Sequence, residues 1–287
     1  MRLVLVVAIP DTSLADCSDL REKTLKAGIF ARALAVFRVD RVIIFSSPQV
    51  RDSQKRDADL LPRLLKYMDT PQYLRRKLFP QTPWLRYAGL LPPLRTRSHP
   101  LNAKISGLVK GELRWGVPVG AGKVDIGIER PLEYPAPLDE GKPALFRIAE
   151  LQPHVRLEVV QRSDADLYWG FEVQSIEDLV QYLKDSAHAT RIAFSRMGEP
   201  FETLQAEIQS SVNKTRNVIA LFGGPYQGLR EIFGDRLKSL ETNTEFWVNT
   251  IPGQGTETVR LEEALFASLA LINSCVGSLI SRPGFHV

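Results

Sequence analysis

The sequence has little cysteine and no run of apolar residues as long as a membrane-spanning helix. Cys17 and Cys275 are its two cysteines, and neither lies in a CxxC pair or beside paired histidines. This pattern excludes a disulfide-rich scaffold and argues against a zinc site. We interpret both as reduced thiols of a cytoplasmic protein, while a disulfide between them stays open for a hyperthermophilic source. Because no segment reaches the roughly 18 apolar residues of a membrane span, no membrane partner is expected.

Common catalytic motifs are missing as well. The chain has neither a GxGxxG fingerprint nor a Walker A glycine loop, so the sequence predicts no dinucleotide site and no P-loop. It has no GxSxG nucleophile elbow. Its histidines have no spacing that suits a metal, so we predict no metal site; they are His99, His154, His188 and His286.

Composition and charge place few limits on function. The 287 residues are 44% apolar and 24% charged, which is ordinary for a globular protein and excludes a disordered chain. The 37 basic and 33 acidic residues give a net charge of +4, which permits an anionic partner without requiring one. The length allows one large domain or two smaller ones.

The two ends of the chain alternate between strand and helix patterns, as in an α/β protein. Residues 3–9 and 42–45 are short, apolar and rich in β-branched side chains, which predicts buried parallel strands. A helix is predicted between them over 20–37, with an apolar stripe formed by Leu25, Ile29, Ala33 and Val36. The other predicted strands are 191–195, 217–222 and 246–249, and the other predicted helices are 58–68, 176–184, 201–210, 227–233 and 260–280.

Between these halves the pattern changes to short strands separated by glycine and proline. About five strand-like segments fit between residues 89 and 173, among them 144–149, 155–160 and 167–173. Short strands at close spacing predict a small barrel, and an OB-fold has that number of strands. We therefore predict a discontinuous α/β domain over 1–88 and 174–287, with a mostly parallel sheet and helices on both faces. Residues 89–173 are predicted to form an OB-like barrel inserted into it.

The largest local charge asymmetry lies at the start of this region. Residues 71–111 contain no Asp or Glu and eight cationic side chains, with Tyr73, Phe79, Trp84 and Tyr87 between them. One interpretation is a solvated positive face with aromatic residues packed beneath it. The other, favoured by the adjacent barrel, is an RNA-binding surface with stacking platforms for unpaired bases. The predicted RNA-binding residues are Arg75, Arg76, Lys77, Arg86, Arg95, Arg97, Lys104 and Lys110.

Two glycine-rich segments follow predicted strands in the C-terminal half. Residues 222–225 read Phe-Gly-Gly-Pro, and residues 249–256 read Asn-Thr-Ile-Pro-Gly-Gln-Gly-Thr. Ligands of open parallel sheets bind beyond the carboxyl ends of the strands, and glycine lets a backbone approach a ligand closely. Each segment alone is more often a turn than a binding site. The pair in one half of the sheet favours a binding site whose backbone groups hold a planar base.

These segments resemble parts of the SPOUT methyltransferases. Gly28, Arg32 and Phe37 match a Gly…Arg…Phe pattern in the first motif of that family. Residues 221–224 and 248–255 look like its two cofactor loops, and the string Asn-Thr-x-Pro-Gly-Gln-Gly within the second loop is the most specific part of the match.

Further segments narrow the resemblance to one branch. Residues 259–264 resemble the helix that follows the second cofactor loop, and residues 71–75 and 88–91 also match. The similarity spans nearly the whole chain, and the branch it indicates comprises RNA methyltransferases of archaea and eukaryotes with an OB-like insertion.

The resemblance implies properties that composition and spacing do not. It implies an α/β fold with a C-terminal trefoil knot, a homodimer, and an rRNA or tRNA substrate. It also implies S-adenosylmethionine as cofactor and S-adenosylhomocysteine as product. The residues it assigns to cofactor binding are Leu221, Phe222, Gly223, Gly224, Asn249, Thr250, Ile251, Pro252, Gly253, Gln254, Gly255, Leu261 and Ala264.

The resemblance also suggests catalytic residues. Arg32 is expected to orient a phosphate or stabilise negative charge on the methyl acceptor, with Arg21 on the same helix as a second candidate. Glu262 is expected to orient the substrate or the methionine amino group. The alternatives are a surface salt bridge for Arg32, a first-turn helix acid for Glu262, and plain core packing for Leu261 and Ala264.

The kind of methylation is indicated by one departure from the family pattern. Lys26 stands where many ribose 2′-O enzymes of the family have an asparagine, which favours base methylation, for example at a uridine ring nitrogen. No side chain stands out as the general base. The alternatives are a non-catalytic RNA-binding ribosome-assembly factor on the same fold, and a methyltransferase acting on a small molecule or a protein.

Overall fold

The computed structural model describes residues 2–47, 58–120, 122–165 and 167–277, and the chain divides into two units. The parallel-sheet unit comprises the described parts of 1–66, 87–92 and 171–287. The antiparallel-sheet unit comprises those of 67–86 and 93–170. Compared with the predicted insertion over 89–173, the second unit also contains 67–86, while 89–92 and 171–173 belong to the first unit.

Six parallel strands form the sheet of the first unit, in the order β11-β9-β10-β1-β2-β8. Its core is made by apolar side chains that cluster on the sheet, such as Ile43, Ile219 and Leu221. Their burial from water is the main favourable term for this unit. The strands are β1 Val4–Pro10, β2 Arg41–Phe45, β8 Glu172–Ile176, β9 Thr190–Pro200, β10 Asn217–Leu221 and β11 Phe246–Asn249.

Helices connect these strands, as parallel pairing requires. The first begins after Asp19, whose carboxylate accepts a hydrogen bond from the Glu22 amide at 2.8 Å. The predicted end of the last helix, residues 278–280, lies outside the described residues. The helices are α1 Leu20–Val36, α2 Leu60–Asp69, α4 Leu179–Asp185, α5 Phe201–Thr215, α6 Leu229–Phe233, α7 Leu237–Thr242 and α8 Leu261–Cys275.

Two sequence predictions about these elements are wrong. The strand predicted over 167–173 as part of the barrel is wrong in bounds and in sheet: the strand formed here is β8, which begins at Glu172 and pairs in parallel with β2 in the first sheet. The helix predicted from residue 176 begins instead at Leu179, because Asp178 caps it by accepting hydrogen bonds from the Val180 and Gln181 amides.

The apolar stripe predicted on α1 is not the side of the helix that packs. Leu25, Ile29 and Val36 are 40%, 42% and 49% exposed, whereas Ala33 is fully buried. The packed side carries small residues that allow close approach: a Cβ on Gly28 would lie 2.8 Å from Cδ of Pro92. Phe30 and Leu34 are also fully buried on the packed side, so α1 has apolar residues on two sides, and the side with Leu25, Ile29 and Val36 stays exposed.

The antiparallel-sheet unit is built on five strands in the order β5-β4-β3-β6-β7. The predicted number of strands in this region is confirmed, while closure into an OB barrel stays a prediction. A Cβ on Gly116 would lie 2.7 Å from Val124 and 2.9 Å from Phe146, so glycine permits the tight core here. The strands are β3 Leu113–Pro118, β4 Lys123–Asp125, β5 Leu132–Glu133, β6 Ala144–Glu150 and β7 Arg156–Val160.

Short helical segments complete the structure. Helix α3, Gln72–Leu78, belongs to the antiparallel-sheet unit. No helix in the described part of the chain is long and apolar enough to cross a membrane. The single-turn 3-10 helices are Pro83–Leu85, Ala88–Leu90, Ile105–Gly107, Arg162–Asp164 and Gly234–Arg236.

Candidate active site

A cleft with a volume of about 290 Å³ opens in the parallel-sheet unit beyond the carboxyl ends of three neighbouring strands. Its walls come from residues 194–197 of β9, the loop 222–228 after β10, the loop from 249 to 259 after β11, and the first turns of α8. This is the edge at which ligands of parallel sheets bind.

The structure brings nine of the predicted cofactor residues to this cleft. They are Phe222, Gly223, Gly224, Asn249, Thr250, Ile251, Gln254, Leu261 and Ala264. Leu221 does not line it, because its side chain is fully buried in the core of the sheet. Pro252, Gly253 and Gly255 lie on the second loop outside the lining, and Gly253 has a φ of 68°, which favours glycine at a turn. Cofactor binding by these residues stays a prediction.

The first loop folds back tightly on itself. A Cβ on Gly223 would lie 2.7 Å from the Cα of Gly228, which is closer than real Cβ atoms come to backbone. The Gly224 amide donates to the carbonyl of Gln227 at 2.8 Å. A side chain at residue 223 would therefore push the two arms of the loop apart.

Polar side chains of the second loop bind its own backbone and the neighbouring elements β9 and α8. Nδ2 of Asn249 donates to the Arg196 carbonyl at 3.0 Å, and its Oδ1 accepts from the Ile251 amide at 2.9 Å. The Thr250 and Ser268 hydroxyls are hydrogen-bonded at 2.9 Å. These contacts fix the loop before any ligand binds, which lowers the ordering cost of binding.

The wall contributed by β9 was not predicted from the sequence. Trp247 of β11 pairs with Ala193, but the next residue, Val248, pairs with Glu199, so residues 194–198 leave the ladder between them. We call this segment the β9 excursion. Its Phe194 ring stacks on Phe222 at a centroid distance of 4.8 Å and forms part of the cleft lining.

One sequence signal could have indicated the β9 excursion. A glycine inside a strand pattern often marks a bulge or a close backbone approach, and Gly198 follows the predicted strand 191–195. In the structure, a Cβ on Gly198 would lie 2.6 Å from the backbone nitrogen of Val248. Glycine is therefore needed where the excursion rejoins the ladder.

The predicted catalytic arginines do not line the cleft of their own chain. Arg21 and Arg32 lie on α1 in register with its exposed apolar residues, since positions 21, 25, 29, 32 and 36 share one helix face. This exposed α1 face therefore carries both arginines, and their catalytic role stays a prediction.

Glu262 forms part of a buried ion cluster outside the cleft lining. Its Oε2 lies 3.1 Å from Nζ of Lys26, and Lys26 also donates to Oδ2 of Asp16 at 2.5 Å. Burial of Lys26 opposes its charged form, but hydrogen bonds to the two carboxylates outweigh this and raise its pKa. These contacts favour the structural interpretation of Glu262 at the start of α8.

Neither cysteine is suited to act as a nucleophile. Both are free thiols. Burial, assisted by the Asp16 carboxylate, raises the pKa of Cys17 to about 11, and burial also raises the pKa of Cys275. Both sulfurs are therefore protonated near neutral pH. Among the described residues, no group of three or more His, Cys, Asp and Glu side chains is placed to bind a metal ion.

The predicted RNA-binding residues fall into two groups within the antiparallel-sheet unit. Arg75 donates to the Met68 and Thr70 carbonyls, stacks on Tyr67 at 4.6 Å, and has its pKa lowered by burial. Lys77 pairs with Asp125. These two cations serve internal contacts. Lys77 is itself exposed, as are the six other members, which are Arg76, Arg86, Arg95, Arg97, Lys104 and Lys110.

Comparison with known proteins shows the family. The sequence profile of the family described as "Putative RNA methyltransferase" matches residues 4–272. An uncharacterized protein of Haloarcula marismortui is 32% identical over 284 residues, covering 93% of this chain and 97% of that protein. The 28S rRNA (uridine-N(3))-methyltransferases of Homo sapiens and Mus musculus are 29% and 30% identical, covering 93% and 97% of this chain and 77% and 78% of those proteins.

These matches extend over both units and include the β9 excursion and the loops that follow β10 and β11. They confirm the predicted branch of archaeal and eukaryotic RNA methyltransferases. The chain belongs to the family described as "Putative RNA methyltransferase".

Proposed function

We propose that this protein is an S-adenosylmethionine-dependent methyltransferase that modifies a uridine ring nitrogen in ribosomal RNA. The observation that carries the proposal is the cleft, where both predicted glycine loops meet beyond the carboxyl ends of β9, β10 and β11. The uridine-N3 activity printed for the human and mouse relatives supports the choice of atom and RNA.

The cleft residues fit a nucleoside-like cofactor. The stacked Phe194 and Phe222 rings, with Ile251 and Leu261, supply apolar surface for a planar base. The tight loop at Gly223 and Gly224 brings backbone into the wall of the cleft without a side chain. The volume of about 290 Å³ lies near the lower end for small-molecule pockets. S-adenosylmethionine would supply a methyl group on a sulfonium, and Gly223, Gly224 and the 249–254 loop would hold it.

Binding of the RNA is assigned to the antiparallel-sheet unit. Its exposed cations include Arg76, Arg95, Lys104 and Lys110, all from the segment that contains no acidic residue. Phosphate contacts of this kind supply affinity without reading sequence. We propose that this unit, as an OB-like module, holds the RNA while the cleft performs the chemistry.

We further propose a homodimer formed through the exposed α1 face. Leu25, Ile29 and Val36 are large apolar residues left exposed on one helix stripe, and such patches mark interaction sites when contiguous. In a dimer this face would place Arg21 and Arg32 at the boundary between two copies, where their proposed catalytic role becomes possible.

We also propose the C-terminal trefoil knot and a cytoplasmic location. Support for the knot is the strand order β11-β9-β10, in which the last strand lies beside β9 and away from β10. Support for the location is the pair of free thiols at Cys17 and Cys275.

The proposal is tested first by calorimetric titration with S-adenosylmethionine. Wild-type protein is expected to bind, and Gly223→Ala is expected to lose binding because its Cβ displaces the Gly228 arm. Gly89→Ala is the matched control, since a Cβ there meets no atom within 4 Å. Transfer of a labelled methyl group to large-subunit rRNA, with the modified base identified by mass spectrometry, then tests the substrate.

The same measurements address the non-catalytic alternative. Folded wild-type protein that binds rRNA but neither binds the cofactor nor transfers methyl would support an assembly factor. Transfer to another class of acceptor, with no affinity for RNA at low salt, would contradict the RNA assignment.

A further inference from the structure

We propose that Arg196 is a catalytic residue that stabilises the negative charge on the uracil ring while its nitrogen accepts the methyl group. This inference rests on the proposed function, because it names a role within uridine methylation at the same cleft. The resemblance suggested Arg32 for charge stabilisation, whereas Arg196 lines the cleft and Arg32 does not.

The position of Arg196 follows from the β9 excursion. Residues 194–198 leave the sheet between two paired stretches of β9 and β11, which carries Arg196 into the wall of the cleft. The segment is fastened at both its backbone and its side chain. The Arg196 carbonyl accepts from Asn249 at 3.0 Å, and its guanidinium Nη1 donates to the Glu257 carbonyl at 3.1 Å.

The charge of Arg196 is not matched by a carboxylate. Its guanidinium bonds a neutral carbonyl, and among the described residues it forms no ion pair within 4.0 Å. Among the described residues that line the cleft, it is also the single Lys or Arg, beside Glu231 and Glu257. An arginine has five N–H donors, so most of them stay available to an anion that enters the cleft.

Uracil methylation needs such a cation. The ring N–H loses its proton to solvent water at the open mouth of the cleft, and the negative charge spreads onto the two ring carbonyl oxygens. The anionic nitrogen then forms a bond to the methyl carbon as the carbon–sulfur bond breaks. S-adenosylmethionine, when bound, would supply this methyl group and would be left as a neutral thioether, so one negative and one positive charge would cancel. A fixed donor aimed at the carbonyl oxygens favours the anion before transfer.

The test compares wild-type protein with Arg196→Ala and Arg196→Lys in labelled-methyl transfer to large-subunit rRNA over a range of pH. Arg196→Ala is expected to lower kcat about 100-fold and to move the rising limb of the pH–rate profile to higher pH, because the ring anion has lost its cationic partner. The kcat and pH profile of Arg196→Lys are expected to lie between those of the wild-type protein and those of Arg196→Ala. Affinity for S-adenosylmethionine, measured by calorimetry, is expected to stay unchanged.

Arg236→Ala is the matched control, because Arg236 is an exposed arginine of the same unit that pairs with Asp178 away from the cleft. It is expected to leave both kcat and the pH profile unchanged. Wild-type kcat and pH profile in Arg196→Ala would overturn the inference while leaving the proposed function intact. Weaker cofactor binding with an unchanged kcat would also overturn it and assign Arg196 to the cofactor carboxylate. Absence of transfer by folded wild-type protein would overturn the proposed function itself.

Discussion

Lys26 of α1 and Glu262 of α8 form an ion pair, with Nζ of the lysine 3.1 Å from Oε2 of the glutamate. The lysine side chain is 7% exposed and also pairs with Asp16. Removing one partner of a buried pair leaves an uncompensated charge. Lys26→Met is therefore expected to lower the free energy of unfolding by about 3 kcal/mol, because two carboxylates lose their shared cation. Denaturant titration of the wild-type protein and of the variant measures this change in the free energy of unfolding.

Glu262→Gln distinguishes a structural role of Glu262 from a catalytic one. Because Asp16 still neutralises Lys26, this variant is expected to lose only about 1 kcal/mol of stability and to keep its kcat for methyl transfer. A large fall in kcat with stability unchanged would restore Glu262 as a catalytic residue.

The stability of the antiparallel-sheet unit is expected to depend on pH through His99. Its Nδ1 lies 2.8 Å from the Thr96 hydroxyl and its Nε2 lies 3.1 Å from the Met68 carbonyl. Burial lowers the pKa of His99 below 6.5, despite the nearby Asp69 carboxylate. The unfolded chain therefore binds a proton more readily, so the free energy of unfolding falls as pH drops below about 6.5.

Denaturant titrations between pH 5 and pH 7 test this dependence. His99→Asn is expected to unfold with a flatter pH dependence over this range, because the titrating group is gone. The exposed His154 supplies a control, and His154→Asn is expected to keep the wild-type slope. Equal slopes in all three proteins would contradict the role of His99.

The exposed α1 face predicts the oligomeric state. Ile29→Glu places a charge on this face. The variant is expected to sediment as a monomer where the wild-type protein sediments as a dimer, with little loss of thermal stability. Leu101→Glu is the control, since Leu101 is 98% exposed and lies in the other unit. A monomeric wild-type protein, or an Ile29→Glu variant that stays dimeric, would show that the exposed α1 face does not form a dimer interface.

The exposed cations predict the salt dependence of RNA binding. Lys104→Ala and Lys110→Ala are each expected to reduce the slope of log affinity against log salt by about 0.7, the value for one phosphate contact on a single strand. Arg156→Ala removes the same charge but breaks an existing pair with Glu150. That control is expected to change the slope little, and equal effects in all three variants would indicate a nonspecific response to net charge.

Sequence reasoning predicted the strands well because buried β-branched runs leave a short-range signal. Glycine after a strand indicated the two loops of the cleft, while the resemblance to the SPOUT methyltransferases named nine of the residues that line it. It failed where a long-range contact decided the outcome. The pairing of Val248 with Glu199 creates the β9 excursion, and the close approach of Pro92 to Gly28 lies on the buried side of α1. Both contacts join residues that are far apart in the sequence, so a short stretch of sequence cannot indicate them.

The strand register has a consequence for how the chain is made. β1 pairs with β2 along one edge, but its other edge pairs with β10, where Val4 lies opposite Asn217. During synthesis from the N-terminus, β1 must therefore keep one edge unpaired until roughly 200 further residues have emerged from the ribosome. An unpaired apolar strand edge invites association with other chains. We expect the nascent chain to need protection by chaperones over this interval, which ends when β10 completes the centre of the sheet.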